Sequence, residues 1–257
     1  PGCGVRSSAG RRAGARCVHA MTTVDRVVCS DETHLAATVA QALVDRLSAP
    51  GVHHLVLTGG GVGIRVLIEL CLRSQAVDWT RVHVWWSDER FLPAGDPERN
   101  ETAAREALLD HVPIPPRQVH PMPSDAGQSA EEAAQAYADE LAREAPDGAA
   151  PDFDVLLLGM GPEGHVASVF PHSAGVRSTA LVIAVHGCPK PPPTRVTFTL
   201  RLICTAEEVW IVAAGAAKAE VATEAQDNAT SPNDVPAAGA RGREKTIFWL
   251  DRVSAGA

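Results

Sequence analysis

The sequence predicts an α/β fold: a three-layer α/β/α arrangement around a doubly wound, mainly parallel sheet. Three observations carry this reading. Apolar runs of strand length alternate with segments of helical spacing along most of the 257 residues. Two of the runs empty without a break into glycine clusters, as buried parallel strands do where they open onto a ligand loop. No coiled-coil heptad, solenoid period or long low-complexity linker interrupts the alternation.

The elements follow in order. Residues 1–20 carry Arg6, Arg11, Arg12 and Arg16 with no acid and no apolar core, and read as an unstructured extension ahead of Met21, a transit peptide being the other reading; residues 21–257 then form a single domain. From Ser30 or Asp31 as N-cap, Leu35, Val39, Leu43 and Leu47 keep helical spacing up to Pro50-Gly51. His54 to Thr58 is a short buried strand running into Gly59-Gly60-Gly61-Val62-Gly63, after which Ile64 to Leu72 is helical. Val82 to Trp86 is a second strand, ending in Ser87-Asp88-Glu89-Arg90. Asn100 to Leu109 and the alanine-rich Ala130 to Ala145 are predicted helices, linked by the proline-rich Pro113 to Pro123. Val155 to Leu158, Leu181 to Val185, Val196 to Leu200, Glu208 to Ala213 and Thr246 to Leu250 are predicted strands, and Asp227 to Gly242 reads as a surface loop near the site.

Composition narrows the function. Hydrophobic residues at 45% and charged residues at 21% suit a globular protein with a substantial core. With 23 basic and 31 acidic side chains the net charge is −8, which argues against binding to nucleic acid, so a small anionic substrate needs a local basic pocket. Six cysteines, at 3, 17, 29, 71, 188 and 204, show neither zinc-site spacing nor disulfide-scaffold density, and a reducing cytoplasm is the simplest compartment. No apolar run approaches the roughly 20 residues of a membrane helix. The ten histidines form no His-Glu-x-x-His or comparable ligand run, so no metal and no cofactor are expected and the nucleophile is water.

Four segments hold candidate chemistry, each with a bland counterpart. Gly59, Gly60 and Gly61 either make a tight turn or let backbone amides at a helix start approach an anion. Asp88, Glu89 and Arg90 are either a solvated charge trio or, just past a strand, a donor fork held by two carboxylates. His165, in Gly159-Met160-Gly161-Pro162-Glu163-Gly164-His165, is either a structural histidine or a general base with Glu163 beside it. Lys190 and Arg195, in Lys190-Pro191-Pro192-Pro193-Thr194-Arg195, and Lys218 after the next strand are either exposed cations or a phosphate grip. Ser168 lacks a Gly-x-Ser-x-Gly elbow and reads as a structural or substrate-binding hydroxyl. Arg241 and Arg243 sit in a C-terminal segment that either binds or is surface charge.

The glycine-histidine segment and its Ala167-Ser168-Val169-Phe170-Pro171 continuation resemble the 6-phosphogluconolactonase family and differ at that continuation from the related amino-sugar-phosphate deaminases. Asp88-Glu89-Arg90 with Asn100, Lys190 through Arg195-Val196-Thr197, and Lys218 resemble further family segments in the same order, over about residues 25–253. Val62 departs from the family turn by lacking a hydroxyl, and Glu163 stands where aspartate is general. The resemblance implies a sugar-phosphate isomerase-like, modified Rossmann fold and hydrolysis of 6-phospho-D-glucono-1,5-lactone to 6-phosphogluconate. It implies His165, Glu163 and Arg90 as catalytic residues, and Gly59, Gly60, Gly61, Asp88, Glu89, Lys190, Arg195 and Lys218 as substrate or phosphate contacts. The partner is then a small phosphorylated sugar lactone, with no nucleic acid and no membrane, bound by a monomer or small homo-oligomer. The alternatives are a glucosamine-6-phosphate deaminase or isomerase on the same fold, or a noncatalytic sugar-phosphate sensor.

Overall fold

The computed structural model describes residues 23–145 and 148–257; the extension expected over 1–20 lies outside them. In chain order the elements are β1 (Thr23–Cys29), α1 (Glu32–Leu47), β2 (His53–Leu57), α2 (Gly61–Cys71), β3 (Val82–Trp86), β4 (Asp88–Arg90), α3 (Asn100–Ala107), α4 (Ala130–Arg143), β5 (Val155–Gly159), α5 (Ala174–Arg177), β6 (Val182–Val185), β7 (Arg195–Phe198), α6 (Leu200–Ile203), β8 (Glu208–Ala213), α7 (Ala219–Gln226) and β9 (Lys245–Asp251).

Local signals explain most boundaries. The Asp31 side chain accepts from the His34 amide at 2.9 Å and starts α1, whose Leu35, Val39, Leu43 and Leu47 are all buried. Each such burial contributes about 1.5–3 kcal/mol. A reciprocal capping box between Ser129 and Glu132 starts α4. That helix stops at Arg143, two residues short of the expected Ala145.

Six strands form one parallel sheet in the order β1-β9-β8-β5-β2-β3. The near-continuous apolar run of β5 sits mid-sheet, as a strand covered on both faces should. With right-handed crossovers, the connections from β1 to β2 and β2 to β3 put α1 and α2 on one face, and the returning connections put α4 and α7 on the other. The direction of winding reverses between neighbours β2 and β5. A crevice opens outside their C-terminal ends, where a doubly wound sheet holds its ligand. Both glycine clusters leave the sheet at that point.

Two features differ from the sequence expectation. The strands expected at Leu181 to Val185 and Val196 to Leu200 are shorter and leave the parallel sheet; with β4 they form a separate antiparallel sheet, β4-β7-β6. Leu200 instead begins α6. β1 was not anticipated as a strand, because as an edge strand it buries only Cys29 and shows no apolar period. The small sheet matters for function: its register sets Asp88 opposite Thr197 and Arg90 opposite Arg195, joining two sequence segments more than a hundred residues apart.

Candidate active site

A cavity of about 480 Å³ occupies the crevice between β2 and β5. Its floor is the backbone of Thr58–Gly61 and Gly159–Gly161. Four cations, Arg90, Lys190, Arg195 and Lys218, line it against two carboxylates, Glu32 and Asp88. An acidic protein therefore carries a cationic cavity of the size small ligands occupy. Gly60 caps α2 with no side-chain bond, leaving the helix's first amides directed at the cavity.

His165 opens onto this space and is held by its own loop and by Phe170. The Gly161 amide donates to the His165 carbonyl at 3.0 Å, and the Phe170 ring stacks on the imidazole with centroids 4.5 Å apart. Glu163 Oε1 lies 3.0 Å from His165 Nδ1, and Lys190 Nζ lies 3.6 Å from the same oxygen. The carboxylate meets the ring out of line, and among the described residues neither His165 Nδ1 nor Glu163 Oε2 has an aligned hydrogen-bond partner. Burial, with the Lys190 charge, holds the His165 imidazole below its ordinary range despite the opposing pull of Glu163 and Asp88. The ring is thus neutral, and able to accept a proton, at neutral pH. Burial alone would raise the Glu163 carboxyl; its own backbone amide, His165 and Lys190 outweigh that and lower it.

The loop expected at the surface over Asp227 to Gly242 is partly interior, because it supports the histidine from below. Val235, Pro236 and Ala237 are buried, and the Ala237 amide donates to the Gly164 carbonyl at 2.9 Å. Arg241 is buried too: its guanidinium donates to Ala237 O at 3.0 Å and to Ala225 O, at the end of α7, at 2.7 Å. Arg243 is at the surface, 3.0 Å from Asp152.

On the opposite wall Asp88 is nearly buried. Its carboxylate accepts from Ser168 Oγ at 2.7 Å and faces Arg195 Nη1 at 3.8 Å, so Ser168 is a fixed support of Asp88. Asn100 Nδ2 donates to the Asp88 carbonyl at 2.9 Å and reaches its Oδ1 at 3.4 Å. A Cβ at position 59 would come within 2.5 Å of Asn100 Cγ, so that strand end must be glycine. Glu89 does not line the cavity. Its carboxylate accepts from the amides of Arg90, Asn100 and Glu101 at 2.7–2.8 Å and so anchors the start of α3. Burial pushes its carboxyl up against Arg99 and those amides.

The cations divide into supports and free ends. Arg195 gives Nε and Nη2 to the carbonyls of Pro192, Lys190 and Pro191 at 3.1–3.2 Å, shaping the loop that presents Lys190 and leaving Nη1 toward Asp88. Arg90 Nη1 donates to the Glu98 carbonyl. Among the described residues Lys218 has no such backbone tie; burial first, then Lys190, lowers its ammonium pKa. Its loop is pinned by Asp251, which accepts from the Gly215 amide at 3.2 Å.

Comparison with known proteins gives the family and the fold. The glucosamine-6-phosphate isomerases/6-phosphogluconolactonase family model matches residues 30–249. The chain belongs to this family. It is similar to the 6-phosphogluconolactonases of Mycobacterium leprae, 48% identical with 86% of this chain and 90% of that protein covered, and of Streptomyces coelicolor, 48% identical over 86% and 87%. Its fold is similar to the crystal structure of 6-phosphogluconolactonase from Thermotoga maritima, with TM-score 0.78 and 29% identity, covering 90% of this chain and all of that one. In this member of the family, sequence reasoning missed Glu32 and Asp251. Both lie at element ends far from any motif, and only the sheet order brings Glu32 to the crevice and Asp251 beneath the Gly215 loop.

Proposed function

We propose that the chain hydrolyses 6-phospho-D-glucono-1,5-lactone to 6-phosphogluconate, the lactone-opening step of the oxidative pentose phosphate pathway. The observation that carries the reading is the neutral His165 set in a cationic cavity of an otherwise acidic protein. In this reading Glu163 favours the proton on Nδ1, leaving Nε2 to take one from water as the water oxygen attacks the lactone carbonyl. The same imidazolium returns its proton to the ring oxygen as the C1–O bond breaks, so no net proton is gained by the protein. The amides of Gly60, the cap of α2, and of Gly61, its first residue, stand as donors for the carbonyl oxygen or the phosphate. Lys218 and Lys190 bind the phosphate as point charges, Arg195 and Arg90 shape the wall, Asp88 orients Arg195, and Glu89 acts only through α3. Residues 21–257 act as one domain, as a monomer or small homo-oligomer in a reducing cytoplasm; among the described residues no helix is long and apolar enough to cross a membrane.

Hydrolysis of freshly generated 6-phosphogluconolactone, corrected for spontaneous opening, tests this against unphosphorylated gluconolactone and glucosamine 6-phosphate. Selective acceleration of the phosphorylated lactone, reduced about 10²–10⁴-fold in His165→Ala, is expected. Ammonia release from glucosamine 6-phosphate would mean a deaminase. Tight phosphogluconate binding without turnover would mean a sensor.

A further inference from the structure

At the opposite, N-terminal end of the parallel sheet, His83 on β3, His120 beyond it and Glu144 just past α4 bring three potential ligand atoms within 4.8 Å of one another. His83 Nδ1 faces His120 Nε2 at 3.0 Å, so two imidazole nitrogens share a space that holds one proton. On its other side, His120 Nδ1 is 2.8 Å from Glu140 Oε1. A carboxylate only accepts, so His120 carries its proton on Nδ1 and turns a bare Nε2 lone pair toward His83. A carboxylate fixing the far nitrogen of a histidine is how proteins orient metal-binding imidazoles. The surroundings hold the rings still. The Trp85 indole lies flat on His120 with centroids 3.8 Å apart, and its Nε1 donates to His54 Nδ1 at 3.1 Å. His54 in turn covers His83 at 4.7 Å. A neighbouring cavity of about 250 Å³, lined by His54, Glu144, Asp152, Asp154 and Glu207, gives an acidic approach from solvent. Arg46 neutralises part of it, at 3.4 Å from Asp154 and 2.6 Å from Glu207, and Arg117 is the opposing charge that bears on His83.

We propose that His83 Nδ1, His120 Nε2 and the Glu144 carboxylate form a binding site for a divalent transition-metal ion of the zinc class, oriented by Glu140. Two nitrogens at about 2.0–2.1 Å from a tetrahedral zinc stand about 3.3–3.4 Å apart. The present 3.0 Å needs the rings to part by a few tenths of an ångström. Glu144 is exposed and closes onto the ion from the surface, leaving the fourth position to water. The metal displaces the proton shared by the two rings from His83 Nδ1, and His83 carries its proton on Nε2 instead, so that both rings bind as neutral imidazoles. No motif announces this set, since the histidines are 37 residues apart and the sheet edge alone brings them together. Among the described residues lining the cationic cavity are none of His83, His120, Glu140 and Glu144, so the ion acts on stability and leaves lactone turnover unchanged.

The test uses untagged full-length protein stripped with a chelator, titrated with zinc chloride by calorimetry and with cobalt(II) by visible absorption. One equivalent of zinc, a tetrahedral cobalt spectrum and a higher Tm with zinc are expected. Cys3, Cys17 and His19 are other potential ligands in the chain, so variants assign the site. His83→Gln should abolish the cobalt spectrum, and Glu140→Gln should weaken zinc about 10–100-fold, as loss of an orienting partner does. Should His83→Gln fail to fold, the exposed Glu144→Gln decides, with an affinity loss of at least about tenfold. Absence of zinc binding, or binding that Glu144→Gln and His83→Gln leave unchanged, overturns the proposal.

Discussion

Replacing Gly161 by alanine tests how closely the backbone must pass the proposed base. A Cβ built there overlaps His165 Nδ1 and Cε1 and comes within 2.6 Å of Glu163 Oε2, whereas ordinary contact begins near 3.4 Å. The carboxylate must retreat by about 0.8 Å and the imidazole, which is nearer, by about 1 Å or more. Gly161 is not among the residues at positive φ, so alanine meets no backbone penalty and the cost falls on the two side chains. Retreat is limited on one side by Phe170, stacked 4.5 Å away. A general base must sit about 2.6–3.2 Å from the proton-bearing atom, and a misplacement near 1 Å costs about 10²-fold. The expected kcat for Gly161→Ala is therefore about 10²–10³-fold below wild type. KM should change less than kcat, because Lys218 stands outside the clash and Lys190 is reached only through Glu163. Initial rates of acid release from freshly made 6-phosphogluconolactone measure this, with circular dichroism and Tm confirming a native fold. A folded Gly161→Ala protein with kcat within about threefold of wild type would falsify the placement of His165 as the base.

Three further predictions concern the same walls. Because burial lowers the His165 pKa and the neutral ring is the active form, kcat/KM should stay level from neutral pH downward and fall only below the ordinary imidazole range. Lys190→Met removes a charge that lowers this pKa and should move the acid limb to higher pH, whereas Glu163→Gln removes one that raises it and should move the limb lower; shifts of the opposite sign in rate profiles would refute the electrostatic assignment. Gly59→Ala places a Cβ 2.5 Å from Asn100 Cγ and 2.9 Å from Nδ2, displacing the amide that holds Asp88. Strain and the lost bond should destabilise the protein by about 2–4 kcal/mol. The Gly59→Ala, Asn100→Ala double variant should lose clearly less than the two single losses together, read from urea unfolding, and additivity would count against the clash.

The sequence by itself determined the α/β class, most element positions and the residues of the cavity floor, because these rest on local physics. Apolar run length separates strands from helices, and glycine after a buried strand marks a place where backbone meets a ligand. It could not determine which strands leave the parallel sheet: β6 and β7 are as apolar as the others, and only their antiparallel pairing with the short, polar β4 sets them apart. That pairing brings Asp88 to Ser168 and Arg195, while the Glu89 carboxylate is committed to the Arg90 amide and the first two amides of α3, away from the cavity lining. Likewise Arg241 and the loop beneath Gly164 read as polar surface until the fold buries them. At the far end of the sheet, His83, His120 and Glu144 meet only because the segment at Val119 and His120 pairs along the β3 edge and α4 ends beside it. Hydrophobic periodicity is a property of neighbouring residues, whereas a site's charge balance depends on side chains from distant segments, and only the closed sheet and its crossovers set those distances.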